Sequence, residues 1–207
     1  NCKRMTRLVN NIMDLSNMDI GIIKADFKNY NIVSIVEEVT LSIVDYALLK
    51  SINIQFDTDM EEYVIKCDSS MIERVMLNLL SNAIKFSYEN TNILVNVNIR
   101  CDCIEIDIHD EGIGISQQDK EIIFEKFVQL DKSFTRKNEG SGIGLSIVKS
   151  IVNLHEGSIS VDSSISKGTT VKILLPNAII EDSMLFDYDI DKHNIELELS
   201  DIYEVLT

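Results

Sequence analysis

The stretch that most constrains this chain is Met71–Phe86, MIERVMLNLLSNAIKF. Its apolar residues Ile72, Val75, Met76, Leu79, Leu80 and Ala83 recur three and four apart, the pattern of an amphipathic, mostly buried helix. A polar stripe cuts through it. Asn78, Asn82 and Lys85 stand four and three apart and so share one face. Taken alone, such a stripe is a solvated face. The segments downstream change that reading.

The surroundings of this helix are ordinary for a folded domain. The chain has 207 residues, 45 % of them hydrophobic, enough for one sizeable core with an appendage. The net charge of −15 argues against a nucleic-acid surface, which needs clustered Lys and Arg. It leaves nucleotide binding open, because a few amides and one Mg²⁺ outweigh a distant acidic surface. No apolar run reaches the ~18–20 residues of a membrane span. Asn1 is not a natural start, which suggests an excised fragment. Cys2, Cys67, Cys101 and Cys103 lack zinc spacing and read as free thiols of a reducing compartment.

Before the central helix, residues 1–20 read as a helix with Met5, Leu8, Ile12 and Leu15 along one bundle seam. Residues 24–31 read as a connector. Ser34 and Glu37 have the form of a capping box opening a helix with Val36, Val39, Ile43 and Ala47 inward. Ile52, Ile54 and Phe56 alternate as a strand, and Tyr63–Cys67 is a second. Asp68 or Ser70 caps the central helix, Ser70 with Glu73 forming another capping box.

After it, Ile93, Val95, Val97 and Ile99, then Ile104, Ile106 and Ile108, predict an antiparallel hairpin turning at Arg100–Asp102. A helix is expected over Gly142–Leu154, with Leu145, Val148 and Val152 inward, then strands at Ile159–Val161 and Val171–Leu175. These elements sum to an α+β fold: a two-layer α/β sandwich whose mixed, mostly antiparallel sheet is covered on one face by helices, preceded by a single helix. Residues 177–207 hold nine acidic residues and one lysine. They are either a docking element or a solubilising extension, and the acidity favours the extension.

Two glycine stretches complete the pattern. Asp110-Glu111-Gly112-Ile113-Gly114 follows the second hairpin strand, and Gly140-Ser141-Gly142-Ile143-Gly144-Leu145 opens the later helix. Phe124-Glu125-Lys126-Phe127 lies between them. With the asparagine stripe, their order and spacing resemble the four boxes of the ATP-binding catalytic domain of sensor histidine kinases. That domain shares a superfamily with gyrase, Hsp90 and MutL. The likeness covers roughly residues 27–176. The run RLVNNIMDLSNMDIGIIK resembles the end of the second helix of the kinase dimerisation hairpin. The implied organisation is a hairpin remnant over 1–23, the ATP-binding domain over 24–176 and an acidic extension over 177–207.

The resemblance implies roles for individual residues. Asp110 accepts the adenine amino group, Gly112 and Gly114 let the backbone approach the base, and Thr169 helps hold Asp110 and a water. Asn82 is the Mg²⁺ ligand, Lys85 contacts phosphate, and Phe86 lies beside the adenine. Gly140, Gly142 and Gly144, with Leu145, frame the phosphates at a helix N-terminus. The stretch 129–139 is the ATP lid, from which Lys132 or Arg136 reaches the γ-phosphate, with Phe124 and Phe127 at its hinge. In the ATP-hydrolysing relatives a Glu general base stands four residues before the metal Asn. Here that position is Asn78, and an amide takes no proton at neutral pH. ATP and Mg²⁺ are therefore expected ligands, and the expected activity is that of a protein histidine kinase. None of His109, His155 and His193 stands in a phosphoacceptor motif, so the fragment is expected to bind ATP without autokinase activity. A response regulator and a homodimer through the hairpin are the implied partners. No nucleic acid and no membrane segment are expected, in a cytoplasmic fragment of a parent that can be membrane-anchored. The alternative is a degenerate or anti-sigma-like nucleotide-binding module acting through protein–protein contacts.

Overall fold

The structure, a computed structural model, describes residues 2–129 and 142–199, with the side chains of 2–4 and 19 excepted. Helix α1 (Cys2–Asp19) leads into strand β1 (Lys28–Asn31), helices α2 (Ile32–Ser42) and α3 (Val44–Leu48), and strands β2 (Asn53–Thr58) and β3 (Val64–Cys67). The central helix α4 (Ser69–Phe86) precedes the hairpin β4 (Asn92–Ile99) and β5 (Cys103–Asp110). Helix α5 (Gly144–Leu154), strands β6 (Ser158–Ser163), β7 (Thr169–Pro176) and β8 (Leu185–Phe186), and helix α6 (Lys192–Glu198) follow.

Five strands form the main sheet in the order β2-β4-β5-β7-β6. Only β2 and β4 run parallel; the other pairs are antiparallel. Strand alternation gives this sheet two unlike faces. Ile93, Val95 and Val97, Ile104, Ile106 and Ile108, and Ile173 and Leu175 are buried under α2, α4 and α5. On the other face Asn96, Asp107 and Lys172 stand in one cross-strand row, and Lys172 donates to Glu105 at 2.8 Å. The expected two-layer sandwich is present.

Several local expectations are corrected. Residues 28–31 are a strand, not connector, and they centre a second sheet ordered β3-β1-β8. Helix α2 starts at Ile32, two residues before Ser34. Asn31 caps it, its Oδ1 accepting from Val33 N at 3.2 Å while also taking Tyr63 N at 3.0 Å, so one amide closes the helix and the neighbouring strand. Of the two residues expected to cap α4, Asp68 does so: its Oδ1 accepts from Met71 N at 3.1 Å and from Ser70 Oγ at 2.7 Å.

Glu73 is drawn away from any capping box into the interior, only 2 % exposed. There it accepts from Tyr188 Oη at 2.8 Å, Asn194 Nδ2 at 3.0 Å and Asp191 N at 3.3 Å. Its donors all come from the C-terminal segment, which is docked rather than solvated through residue 199. Asn29 exchanges two hydrogen bonds with Ile180, β8 pairs in parallel with β1, and Ile195 and Leu199 are buried. Most of the segment's acidic side chains face outward, whereas Glu198 is buried in an ion pair with Arg7 of α1 at 2.7 Å.

Helix α1 packs on α5 and α6, so it does not stand alone. Arg74 of α4 holds it, donating to Asp14 at 2.6 Å and Asn11 at 2.7 Å. The expected seam is split: Leu15 is buried and Leu8 half-buried, while Met5 and Ile12 are exposed together with Val9 and Met13. At 100° per residue the apolar arc of α1 is wider than one contact covers.

Candidate functional site

Helix α4 carries its polar stripe from a buried end to an open one. Asn78 is 2 % exposed, and its Nδ2 donates to the Arg74 carbonyl at 3.0 Å. Its Oδ1 faces the start of α5, where a Cβ on Gly144 would come within 2.7 Å of it. Gly144 is therefore needed for α5 to approach this close. Asn82, one turn on, is half-exposed, and its amide makes no hydrogen bond with the described residues. Lys85 is half-exposed, with Nζ 5.3 Å from the centre of the exposed Phe86 ring.

The last turn of α4 is sewn to the first glycine stretch. Ser87 forms an isolated antiparallel bridge with Gly112, and Ile113 N donates to the Phe86 carbonyl at 3.2 Å. A side chain at Gly112 would collide with that same carbonyl. Asp110 ends β5 with its carboxylate turned inward, 8 % exposed. Its Oδ1 accepts from Gly112 N at 2.9 Å. Burial pushes its pKa up to about 6, against the weaker pull of the Gly112 amide, His109 and the Thr169 amide. With Oδ1 engaged by the Gly112 amide, the carboxylate keeps acceptor capacity for a further donor.

Gly168 brings β7 against this carboxylate. It has φ +84°, and its N donates to the Gly112 carbonyl at 3.1 Å; a Cβ there would strike the Asp110 carbonyl. Thr169 pairs with Asp110 across the ladder. Its hydroxyl meets Ser163 Oγ at 3.0 Å. Ser163 has one O–H, engaged by the Gly168 carbonyl at 2.7 Å, and also accepts from Ile115 N at 2.8 Å. Thr169 is thus the donor in that pair. Ser163, the last residue of β6, thus ties the loop after β5 to the β6–β7 turn and to Thr169, a role invisible in the sequence because its partners include a loop amide and a turn carbonyl.

Gly142 and Gly144 frame the start of α5, and Leu145 packs against the core. Gly142 (φ +68°) accepts from Phe127 N through its carbonyl at 2.9 Å. Phe124 is half-buried beneath Lys149, Phe127 is 63 % exposed, and Ile123 is the buried residue of this segment. Lys132, Arg136, Gly140 and most of the expected lid lie outside the described residues.

Beside the last turns of α4, which carry Asn82, Lys85 and Phe86, the structure thus places Asp110 at the end of β5 and Gly112 and Gly114 in the loop that follows. Thr169 joins them from β7, with Gly142 and Gly144 at the mouth of α5. A profile of the family described as histidine kinase-, DNA gyrase B- and HSP90-like ATPase matches residues 67–179. The chain belongs to this family. The match begins at the last residue of β3 and ends just past β7, so it spans the whole of that assembly. Sensor histidine kinase WalK of Bacillus subtilis is 35 % identical over 179 residues, 84 % of this chain and 29 % of WalK. Signal transduction histidine-protein kinase ArlS of Staphylococcus aureus is 35 % identical over 83 % of this chain and 38 % of its own length. The chain thus spans well under half of these curated relatives. Among solved structures, full-length ShkA with AMPPNP superposes with TM-score 0.76 at 22 % identity, covering 86 % of this chain and 37 % of that one. The catalytic domain of histidine kinase ThkA gives 0.65 at 25 % identity and covers 74 % of this chain and 97 % of that domain. The fold of this family member is that of a histidine kinase catalytic domain.

The histidines have structural partners. His155 is buried, with Nδ1 donating to the Ile151 carbonyl at 2.9 Å and Nε2 accepting from Asp68 N at 3.1 Å. These partners fix the neutral tautomer, and burial lowers its pKa. It ties the end of α5 to the cap of α4. His109 Nδ1 contacts Thr170 Oγ1 at 2.9 Å on the open sheet face. Among the described residues no cluster suited to holding a metal by itself is present, and no helix is long and apolar enough to cross a membrane. Cys67, Cys101 and Cys103 are free thiols.

Proposed function

We propose that this chain is the nucleotide-binding catalytic region of a sensor histidine kinase, which binds Mg²⁺·ATP and presents the γ-phosphoryl group to a histidine that this sequence does not contain. The observation that carries the reading is Asn78. It occupies the position where hydrolysing relatives have a carboxylate base. It is buried, its amide nitrogen is engaged by the Arg74 carbonyl, and it has no proton-accepting form at neutral pH. Such a site favours holding ATP for another nucleophile over activating water.

The remaining residues fit that task. Asp110 accepts from the adenine amino group, and the carboxylate's unfilled lone pairs support this. Asn82 offers a neutral amide oxygen, the hard donor that Mg²⁺ takes, and its lack of a hydrogen bond with the described residues supports that assignment. Bound Mg²⁺ neutralises charge on the phosphate oxygens. Lys85 adds a cation on the same helix face, and the amides opening α5 add donors where a helix favours anions. Phe86 covers the base, and Gly112 and Gly114 keep the wall beside it free of side chains. Lys132 or Arg136 and Gly140 complete the phosphate side.

The phosphoryl group would pass from the histidine to an aspartate of a response regulator; ThkA has been solved in complex with the response regulator protein TrrA. The exposed arc Met5, Val9, Ile12 and Met13 of α1 would meet the rest of the dimerisation hairpin in a homodimer. The work would take place in the cytoplasm. The test is incubation of the chain with Mg²⁺ and γ-labelled ATP, with and without a histidine-bearing hairpin from a relative. Label should enter the hairpin histidine and nothing else. Steady release of inorganic phosphate, or label on His109, His155 or His193, would overturn the reading.

A further inference from the structure

Lys50 lies between α3 and β2, far in sequence from every glycine stretch, yet its ammonium sits on the nucleotide end of α4. It donates to the carbonyls of Ile84 at 2.8 Å, Lys85 at 3.1 Å and Ser87 at 3.3 Å. A helix leaves its last four carbonyls without intrahelical donors. Here Ser87 N takes the Ala83 carbonyl at 3.0 Å and Ile113 N takes that of Phe86 at 3.2 Å. Of the five carbonyls from Ala83 to Ser87, three rest on this one side chain. The base of that side chain is itself fixed. Lys50 N donates to the Ala47 carbonyl at 2.9 Å, and Ser51, at φ +57°, reverses the chain so that Ile52 N returns to the same carbonyl at 3.0 Å.

The turn so held carries Lys85 and Phe86 as side chains, and through the Phe86 carbonyl it holds Ile113 beside Gly112. We propose that Lys50 is a positioning residue of the nucleotide site: it fixes the last turn of α4, and thereby the spacing between Lys85, Phe86 and the Gly112–Gly114 wall. This rests on the nucleotide-binding reading above. Lys50 itself contacts backbone only, so its effect on a ligand passes through that turn. A cation at this place also complements the helix dipole, and its half-buried ammonium has a lowered pKa because burial disfavours the charge.

The test uses the full chain with Lys50→Met and Lys50→Arg. Two quantities are read: calorimetric affinity for AMPPNP with Mg²⁺, and amide exchange at Ser87 and Ile113 without nucleotide. Lys50→Met should weaken AMPPNP binding by about tenfold, the scale of losing a charge-assisted contact. It should speed exchange at Ser87 and Ile113 while Val95 and Ile106, in the sheet centre, stay protected. Lys50→Arg, which keeps charge and donors, should recover affinity to within about threefold. Unchanged affinity and unchanged Ile113 exchange in Lys50→Met would overturn the proposal. So would a loss of protection spread evenly over Val95, Ile106 and Ile113, which marks a general stabiliser. If the unaltered chain binds no AMPPNP, the nucleotide reading fails, and exchange at Ser87 and Ile113 still shows separately whether Lys50 holds the turn.

Discussion

Replacing Asp110 by asparagine should make the domain more stable and the nucleotide site worse. Burial raises the carboxyl from its ordinary 3.8 to about 6. A folded-state value above the unfolded one means that the native protein binds more protons between those values, so stability falls as pH rises through that window. At 1.36 kcal/mol per pKa unit, the raised value costs the fold about 3 kcal/mol at about pH 7.5, where both states are ionised, and about 1 kcal/mol at about pH 4.5, where the fold holds the proton that the unfolded chain mostly releases. Asparagine keeps an acceptor for Gly112 N and removes the charge, but it buries an amide. The expected net gain is about 1–2 kcal/mol at about pH 7.5, shrinking towards zero at about pH 4.5. Urea unfolding of both chains at the two pH values measures it. AMPPNP binding should weaken by about tenfold or more, because a charged acceptor is lost. Opposite signs for stability and binding are the mark of a residue retained for its ligand. A loss of stability at the higher pH, or a gain independent of pH, would refute the reasoning.

Two further outcomes follow from buried polar partners. Tyr188→Phe removes the shortest of three hydrogen bonds to buried Glu73 and should cost about 1–2 kcal/mol in urea unfolding, with faster proteolysis around residues 177–190; an unchanged midpoint would count against the docked tail. His155 is held neutral with its pKa lowered, so its contribution to stability is lost as pH falls below the ordinary histidine range. This is opposite in sign to Asp110, and His155→Asn should flatten that acid limb when both chains are titrated.

The sequence was most informative where a signal repeats locally. The three-and-four spacing in α4 and the alternation in β4, β5 and β7 locate the core, because each residue's inward direction is set by its own element. Gly112, Gly114 and Gly144 were legible for a related reason: a left-handed or side-chain-free backbone position leaves a glycine behind. What escaped depends on partners distant in the chain. Ser34 has cap-like neighbours, yet Asn31 starts α2 because its amide also takes Tyr63 N beside strand β3, and the choice between Asp68 and Ser70 at α4 falls to Asp68, whose own amide donates to distant His155. The C-terminal acidity suggested solvation. Its alternation of Phe186, Tyr188 and Ile190, half-buried between exposed residues, was the overlooked sign of docking, and the buried donor-hungry Glu73 is 115 residues from Tyr188. Lys50 carried no local signal at all, since its partners are carbonyls 34 to 37 positions away.

The most direct measurement of the central claim is calorimetric titration of AMPPNP into this chain with Mg²⁺ and again with the metal chelated, repeated for Asn82→Ala. The account predicts binding that weakens markedly without Mg²⁺ in the unaltered chain, and weak, nearly metal-independent binding once Asn82 is gone. Absence of binding, or equal affinity in all four titrations, would contradict a metal–nucleotide site built on the polar stripe of α4.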